Sequence, residues 1–271
     1  MSKFNALLTC TAAIAALGVL FFSNLFFPLW TWTSGGPVAG EGLPQVAQGT
    51  HPPSAEPAGG DAPSPEDLPF FAGNINSLPR ETIVELLAFL DTPIANARIN
   101  MTAGQLPGAP RPYRNGIHEG IDFYDGFSGV PIIQGTPVLA AAEGKIIRID
   151  HAYQEMTPAQ ADEFRRISAE SLDTPADILD KFRGRQVWLE HQGEVITRYA
   201  HLETVEAGLV EGQIVSAGQQ IGTVGNSGTS QAVAGRRGGR HLHFEVWLKG
   251  YYLGEGLPLE DIRFILRGIF E

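Results

Sequence analysis

Cysteine is nearly absent from this chain, and positive charge is scarce. Among 271 residues the one cysteine is Cys10, which lies in an apolar N-terminal run. The remainder therefore has no thiol for a disulfide, a cysteine nucleophile or a cysteine-rich zinc cluster. The 19 Lys and Arg residues are outnumbered by 30 Asp and Glu, for a net charge of −11. This balance argues against non-specific nucleic-acid binding, which requires a basic surface, and we predict no nucleic-acid partner.

Charged residues are also missing from most of the first forty positions. None lies between Lys3 and Glu41, and residues 6–29 are almost entirely apolar. As a helix this run would span about 36 Å, which is enough to cross a membrane, and it exceeds the apolar region of a signal peptide. We predict residues 1–32 to be an uncleaved signal-anchor, with a cleaved signal peptide as the alternative. The rest of the chain is then expected outside the cytoplasm, in the cell envelope.

Two segments separate this apolar region from the main domain. Residues 33–69 are rich in Gly, Pro, Ala and Ser, so we predict a flexible linker. Residues 70–112 are predicted to be a short helical pre-domain segment, whose helix begins near Ser77 and stops before Pro93 and packs on the main domain. Its apolar positions follow the i, i+3, i+4, i+7 spacing of an amphipathic helix: Ile83, Leu86, Leu87 and Leu90.

Residues 113–271 show short apolar runs separated by glycine-containing turns. Several of these runs alternate apolar and polar residues, as antiparallel strands do when one face covers a core. We predict a mainly β domain with an antiparallel sheet. The predicted strands are 137–141, 144–149, 186–190, 195–200, 219–224 and 243–247.

A helical insertion, residues 151–184, interrupts the strand pattern. Thr157-Pro158 and Thr174-Pro175 each resemble the start of a helix, with threonine as the N-cap and proline as the first helical residue. The insertion is long for a connection between neighbouring strands. It is either a surface decoration or a flap that restricts access to an active site.

Histidines and a carboxylate occur in three separated segments of the main domain. On a strand, His241 and His243 point to the same face. His118 and Asp122 are four residues apart and also share a face if their segment is extended. One histidine of the first pair, together with a histidine and a carboxylate from the second segment, would form the usual three-ligand set of a catalytic zinc, although Mn²⁺ and Co²⁺ are not excluded. His201 ends a predicted strand, which makes it a further candidate.

The remaining histidines of the main domain are interpreted differently. His151 lies at the start of the insertion, and His191 precedes a turn. Both are predicted to have structural roles.

Four motifs occur in order along the main domain: His118-x-x-x-Asp122, Tyr199-Ala200-His201-Leu202, the glycine-rich run Gly218–Gly228 and His241-Leu242-His243-Phe244-Glu245. Together they resemble the motifs of the M23 family of zinc metalloendopeptidases, the lysostaphin-type and LytM-type peptidoglycan hydrolases. The resemblance extends over about residues 115–248. It implies a LytM-like antiparallel β-sheet fold, a Zn²⁺ cofactor and the peptide cross-bridges of peptidoglycan as substrate.

The resemblance also implies a role for each of these polar residues. It assigns His118, Asp122 and His243 as zinc ligands, and His201 and His241 as catalytic histidines that do not bind the metal. His241 is favoured as the acceptor of the water proton and His201 as the group that stabilises the oxyanion, although the sequence does not decide between them. The alternative function is a catalytically inactive M23-like protein that binds the cell wall or activates another hydrolase, and a regulatory protein partner is compatible with either function.

One segment departs from the family pattern. The approach to His241, residues 230–240, is longer than usual and contains Arg236, Arg237 and Arg240. These arginines either pair with carboxylates of a peptide substrate or form a solvated basic loop.

Overall fold

The computed structural model describes residues 73–271. The predicted anchor and linker lie outside the described residues. Within residues 73–271 no helix has the length and apolar character needed to cross a membrane.

The described residues form twelve strands and five α-helices. The strands are β1 (Pro110–Arg111), β2 (Gly116–Ile117), β3 (Ile121–Tyr124), β4 (Pro137–Leu139), β5 (Gly144–Ile149), β6 (Val187–Glu190), β7 (Val195–Ala200), β8 (Leu202–Val205), β9 (Ile214–Val215), β10 (Gln220–Val224), β11 (His241–Leu248) and β12 (Tyr251–Tyr252). The helices are α1 (Arg80–Leu87), α2 (Pro158–Glu170), α3 (Ala176–Arg183), α4 (Ser230–Val233) and α5 (Leu259–Phe270).

The strand pairing is antiparallel throughout. The largest sheet has seven strands in the order β12-β11-β7-β6-β5-β9, with β3 paired to β11 beside β12. A three-stranded sheet, β4-β10-β8, and the β1-β2 pair complete the strand framework. The prediction of a mainly β domain with an antiparallel sheet is therefore confirmed.

Strand β11 pairs with β3, β7 and β12 in the large sheet, and its two faces differ in polarity. Leu242 and Phe244 are fully buried in the main hydrophobic core. The intervening residues, His241, His243 and Glu245, point to the opposite face because side chains alternate along a strand. The same alternation thus anchors the strand in the core and presents three polar groups on one surface.

Helices α1 and α5 complete the hydrophobic core. Ile83 and Leu87 of α1 belong to the main core cluster, and α1 contacts α5, so the predicted packing of the first helix on the domain is confirmed. That helix ends at Leu87, earlier than its apolar spacing suggested, and Leu90 is buried beyond it. Helix α5 is not among the predicted elements, although its buried residues have amphipathic spacing: Ile262, Ile265, Leu266 and Ile269.

The insertion contains the two predicted helices, α2 and α3. Thr157 caps α2 as expected, in a reciprocal capping box with Gln160. The prediction that Thr174 caps α3 is wrong, since Pro175 occupies the N-cap position. The Thr174 hydroxyl instead donates a hydrogen bond to the carbonyl oxygen of Arg114 at 2.6 Å, so this contact with a neighbouring segment replaces the cap.

Phe244 gives a direct test of the packing beneath β11. We expect Phe244→Ala to lower the free energy of unfolding by about 3–5 kcal/mol, because it removes a fully buried ring and leaves a cavity. Leu172→Ala is the control, since Leu172 is fully exposed. Urea unfolding followed by circular dichroism measures both. Equal stability of the two variants would contradict this account of the core.

Candidate active site

The pairing of β3 with β11 joins two of the motifs. Asp122 lies directly opposite His243 in the register of these strands, and His118 is in the turn that precedes β3. That turn packs tightly on β11 through Gly120, where an added Cβ would lie 2.5 Å from the carbonyl oxygen of Phe244. Glycine is therefore required for the His118 turn to approach the strand.

Three side-chain atoms converge at this junction. His118 Nε2 lies 3.0 Å from Asp122 Oδ1 and 3.0 Å from His243 Nδ1, and His243 Nδ1 lies 2.8 Å from Asp122 Oδ1. All three residues are buried, and they form the one cluster among the described residues that is suited to hold a metal ion. Two imidazole nitrogens and a carboxylate oxygen are a usual zinc donor set.

The outer nitrogens of the two histidines determine which atoms face the centre. His118 Nδ1 is 3.0 Å from the carbonyl oxygen of Leu106, which can only accept a hydrogen bond. His243 Nε2 is 2.8 Å from Glu245 Oε1. In the neutral rings both protons are therefore directed outward, and the two inner nitrogens present lone pairs to each other beside a carboxylate. When both rings are neutral, a cation between them would satisfy all three acceptors, so these residues fit a divalent metal.

The electrostatics of the cluster also favour positive charge at its centre. Burial lowers the pKa of His118. Burial acts in the same direction on His243, but its hydrogen bonds to Asp122 and Glu245 prevail and raise its pKa to about 9. Burial raises the pKa of Asp122, but the His118 and His241 rings outweigh it, so the pKa lies well below its usual value. The carboxylate thus stays ionised and attracts a cation, which on binding would replace the proton of His243.

His201 and His241 lie beside the cluster without joining it. Their ring centroids are 4.5 Å apart, and His241 Nε2 is 3.8 Å from Asp122 Oδ1. His241 also stacks on Tyr124, with 4.3 Å between ring centroids. His201 has a left-handed backbone conformation, φ 60°, which is uncommon for a residue with a side chain and occurs often at functional sites.

Both of these histidines can act as proton acceptors. Nδ1 of His201 donates to the carbonyl oxygen of Ser227 at 2.7 Å, and Nδ1 of His241 donates to that of Gly239 at 2.9 Å. Burial lowers the pKa of His241, and it lowers that of His201 well below its usual value, helped by the neighbouring His241 and His243 rings. Both rings are therefore neutral near pH 7, with Nε2 available to accept a proton.

The cluster opens into a cleft of about 560 Å³. The helical insertion forms part of its wall through Met156, Arg165, Leu179, Phe182 and Arg183. The segment from Gly228 to Gln231, which leads into α4, forms another part. Of the two interpretations of the insertion, the structure favours an element of the active-site wall over a surface decoration.

The insertion is attached to the rim of the cleft by several hydrogen bonds. Asn115 Nδ2 donates to the carbonyl oxygens of Ser168 and Ser171 on the insertion. Arg114 Nη1 donates to the Thr174 hydroxyl at 2.9 Å. These bonds hold the insertion against the segment that leads into the His118 turn.

The arginines of residues 230–240 lie elsewhere. Arg236, Arg237 and Arg240 line a second cleft of about 320 Å³, together with Arg185 and Glu203, and they are not part of the wall of the main cleft. Although these arginines are close to His241 in sequence, their side chains do not lie against the His-Asp-His cluster.

The two histidines interpreted as structural are also outside the cluster. His151 Nε2 is bonded to the Leu209 carbonyl oxygen. The His191 ring is bonded to the Glu143 carbonyl oxygen and the Thr197 hydroxyl.

Glu245 and Arg183 are residues of the site that the sequence interpretation missed. Glu245 lies two positions after His243 on the same face of β11, so strand alternation provides a signal for its proximity. Arg183 ends α3, about sixty residues earlier in the chain, and nothing in its local sequence indicates that its side chain reaches β11.

Fold and site together define a class: an antiparallel β domain with a buried His-Asp-His cluster, two adjacent histidines and an open cleft. The family model described as Peptidase family M23 matches residues 171–254. The resemblance to the M23 family that the motifs indicated is therefore confirmed, over a range that covers less than half of the chain. The matched range includes His201, His241 and His243 but not His118 and Asp122, which strand pairing brings to the site.

Two curated bacterial proteins are similar in sequence to part of this chain. The chain is 28% identical over 139 residues to an "Uncharacterized metalloprotease" of Buchnera aphidicola, a match that covers 51% of this chain and 25% of that protein. It is 26% identical over 166 residues to "Peptidoglycan DD-endopeptidase ShyC" of Vibrio cholerae, covering 61% of this chain and 28% of that protein. It thus spans about a quarter of the length of these curated relatives.

The solved structures that resemble this chain include the catalytic domain of a mutant of the prophage-encoded M23 protein EnpA from Enterococcus faecalis. It is 20% identical, with a TM-score of 0.38, and the match covers 61% of this chain and 94% of that one.

Proposed function

We propose that this protein is a zinc metalloendopeptidase that hydrolyses peptide cross-bridges of bacterial peptidoglycan. The observation that carries the proposal is the convergence of three buried acceptor atoms beside two neutral histidines, in an open cleft. The peptidoglycan substrate is supported by the name of the V. cholerae relative. Such a substrate lies outside the cytoplasm, which agrees with the expected position of the domain relative to the predicted N-terminal anchor.

In this proposal each residue of the cluster has a defined part. His118 Nε2, Asp122 Oδ1 and His243 Nδ1 would hold the metal. Arg111 donates to the other oxygen of Asp122 at 3.2 Å, which fixes that carboxylate. Bound zinc lowers the pKa of water and polarises a peptide carbonyl.

His241 and His201 handle protons. His241 accepts the proton of the attacking water at Nε2 and transfers it to the departing amine. His201 has its Nδ1 proton engaged with Ser227, so its Nε2 becomes a hydrogen-bond donor to the oxyanion only after it has taken up a proton. The oxyanion role that the family resemblance suggests for His201 therefore requires that the ring be protonated first.

Metal removal tests this function directly. We expect the full chain to contain one zinc per molecule by elemental mass spectrometry and to release cross-linked peptides from purified peptidoglycan, as detected by liquid chromatography and mass spectrometry. A chelator should abolish release, because the remaining residues cannot polarise the carbonyl, and added zinc should restore it.

Two other outcomes would contradict the proposal in different ways. Stoichiometric zinc without peptide release, but with retention on the peptidoglycan pellet, would favour a protein that binds the wall or activates another hydrolase. Absence of bound zinc would exclude the proposed enzyme.

A further inference from the structure

A buried carboxylate, Glu245, lies directly behind one of the proposed zinc ligands. It is 1% exposed. Its Oε1 accepts hydrogen bonds from His243 Nε2 at 2.8 Å and from Arg183 Nε at 2.6 Å. Its Oε2 accepts from Trp247 Nε1 at 2.6 Å and from Arg183 Nη2 at 3.2 Å. The orientation of this carboxylate thus depends on groups from two different parts of the fold.

Arg183 is the contribution of the insertion. It is the last residue of α3, is itself buried, and also pairs with Glu119, next to His118. Its backbone carbonyl oxygen accepts the hydrogen bond of the His201 amide at 2.9 Å. One residue of the insertion therefore contacts the carboxylate behind a proposed ligand and the backbone of a proposed catalytic histidine.

A second arginine, Arg198, also lies near Glu245 but is held mainly by aromatic rings. Arg198 Nη1 is 3.4 Å from Glu245 Oε2, a longer contact. Its guanidinium carbon lies 4.0 Å from the Trp188 ring centroid and 4.1 Å from that of Trp247, so stacking on the two rings fixes its position. Of the two arginines, Arg183 is the one that binds both carboxylate oxygens, which sets the rotation of the carboxylate as well as its position.

We propose that Arg183 is a positioning residue of the metal centre, which orients Glu245 so that His243 keeps its proton on Nε2 and presents Nδ1 to the zinc. The inference rests on the proposed function for the identity of the metal. Carboxylates that accept a hydrogen bond from a metal-binding histidine fix its tautomer and orientation, and their loss commonly weakens metal binding about 10- to 100-fold. The insertion is then a structural part of the metal centre as well as a wall of the cleft.

Zinc affinity of the full chain, measured by competition with a chromophoric chelator, tests this role without any substrate. We expect Arg183→Gln to weaken zinc binding by about 10- to 100-fold. Arg183→Lys keeps the charge but lacks the planar fork that binds both oxygens, so its affinity should lie between those of Arg183→Gln and the unmodified chain. The matched control is Arg185→Gln, which removes the same charge two residues away. The Arg185 guanidinium lies 5.5 Å from the Tyr153 ring centroid, and this variant should retain full zinc affinity.

Two further readouts separate positioning from simple loss of structure. The ¹⁵N chemical shifts of the zinc-loaded histidines report which ring nitrogen of His243 carries the proton, and we expect a mixture of states in Arg183→Gln. At saturating zinc, kcat on peptidoglycan fragments should still fall, because a misoriented His243 no longer presents Nδ1 correctly to the metal. Thermal unfolding of each variant shows whether it is folded.

The possible results are distinct. Zinc affinity equal to that of the unmodified chain in Arg183→Gln, or in Arg183→Lys if the glutamine variant does not fold, overturns the inference. An equal loss in Arg185→Gln also overturns it, since overall charge would then explain the effect. If the unmodified chain binds zinc but cuts no peptidoglycan, the proposed function fails while the affinity comparison still decides the role of Arg183. A chain that binds no zinc at all contradicts both.

Discussion

Replacing His243 by alanine is expected to remove both the metal and the activity. The imidazole contributes one of three converging acceptor atoms, 2.8 Å from Asp122 Oδ1 and 3.0 Å from His118 Nε2. Two donors remain in His243→Ala, too few for the usual catalytic zinc site. Since a bound metal supplies several kcal/mol of transition-state stabilisation, peptide release should fall by about 10³-fold or more. Elemental mass spectrometry and the peptide-release assay measure the two losses.

His151→Ala is the matched control for this variant. It also removes one histidine, but that ring is bonded to the Leu209 carbonyl oxygen, away from the cluster. It should keep stoichiometric zinc and full activity. Retention of zinc by His243→Ala, or loss of zinc from His151→Ala, would show that the metal is held by other residues.

The variant His241→Ala should behave differently, although its residue is only two positions away. His241 Nε2 is 3.8 Å from Asp122 Oδ1 and is not one of the three converging atoms. The variant should therefore keep its zinc. It lacks the proposed proton acceptor, so kcat should fall by about 10²- to 10⁴-fold, the usual contribution of a general base.

The comparison of these two variants separates the ligand from the proton acceptor. Loss of zinc from His241→Ala would make the assignment of ligands wrong. Full activity of the zinc-loaded variant would instead place the proton-accepting role on His201, whose Nε2 is also free. His201→Ala, measured in parallel, distinguishes that case.

Much of the fold follows from patterns that are local in sequence. The strands of the main sheet contain alternating residues whose apolar side chains must leave water, and the Thr157-Pro158 start of α2 satisfies its own backbone donors. One prediction failed because a contact with another part of the fold replaced the local pattern, and another failed at the end of a helix. Thr174 binds the Arg114 carbonyl oxygen instead of capping α3, and α1 ends at Leu87 although the apolar spacing continues to Leu90.

In the candidate site, too, local motifs predicted some residues, whereas contacts between distant segments brought in others. The family motifs identify which histidines and which aspartate to consider, because the order and spacing of these motifs can be read from a single sequence. Arg183 was missed because a long side chain from the insertion reaches a strand about sixty residues later, and no local pattern encodes that distance. The arginines next to His241 in sequence were placed at a second cleft, since the loop between Ser230 and Arg240 turns them away from the cluster.

The sequence by itself predicted a β-rich domain, the resemblance to the M23 family, and the five polar residues that this resemblance names. Alternation along β11 also required that His241 and His243 share one face. The tertiary structure decided what makes them different. The pairing of β3 with β11 sets His243 Nδ1 beside Asp122, whereas His241 stacks on Tyr124 and donates its Nδ1 proton to Gly239. Such differences arise from partners distant in sequence, and only the folded chain brings those partners within hydrogen-bonding distance.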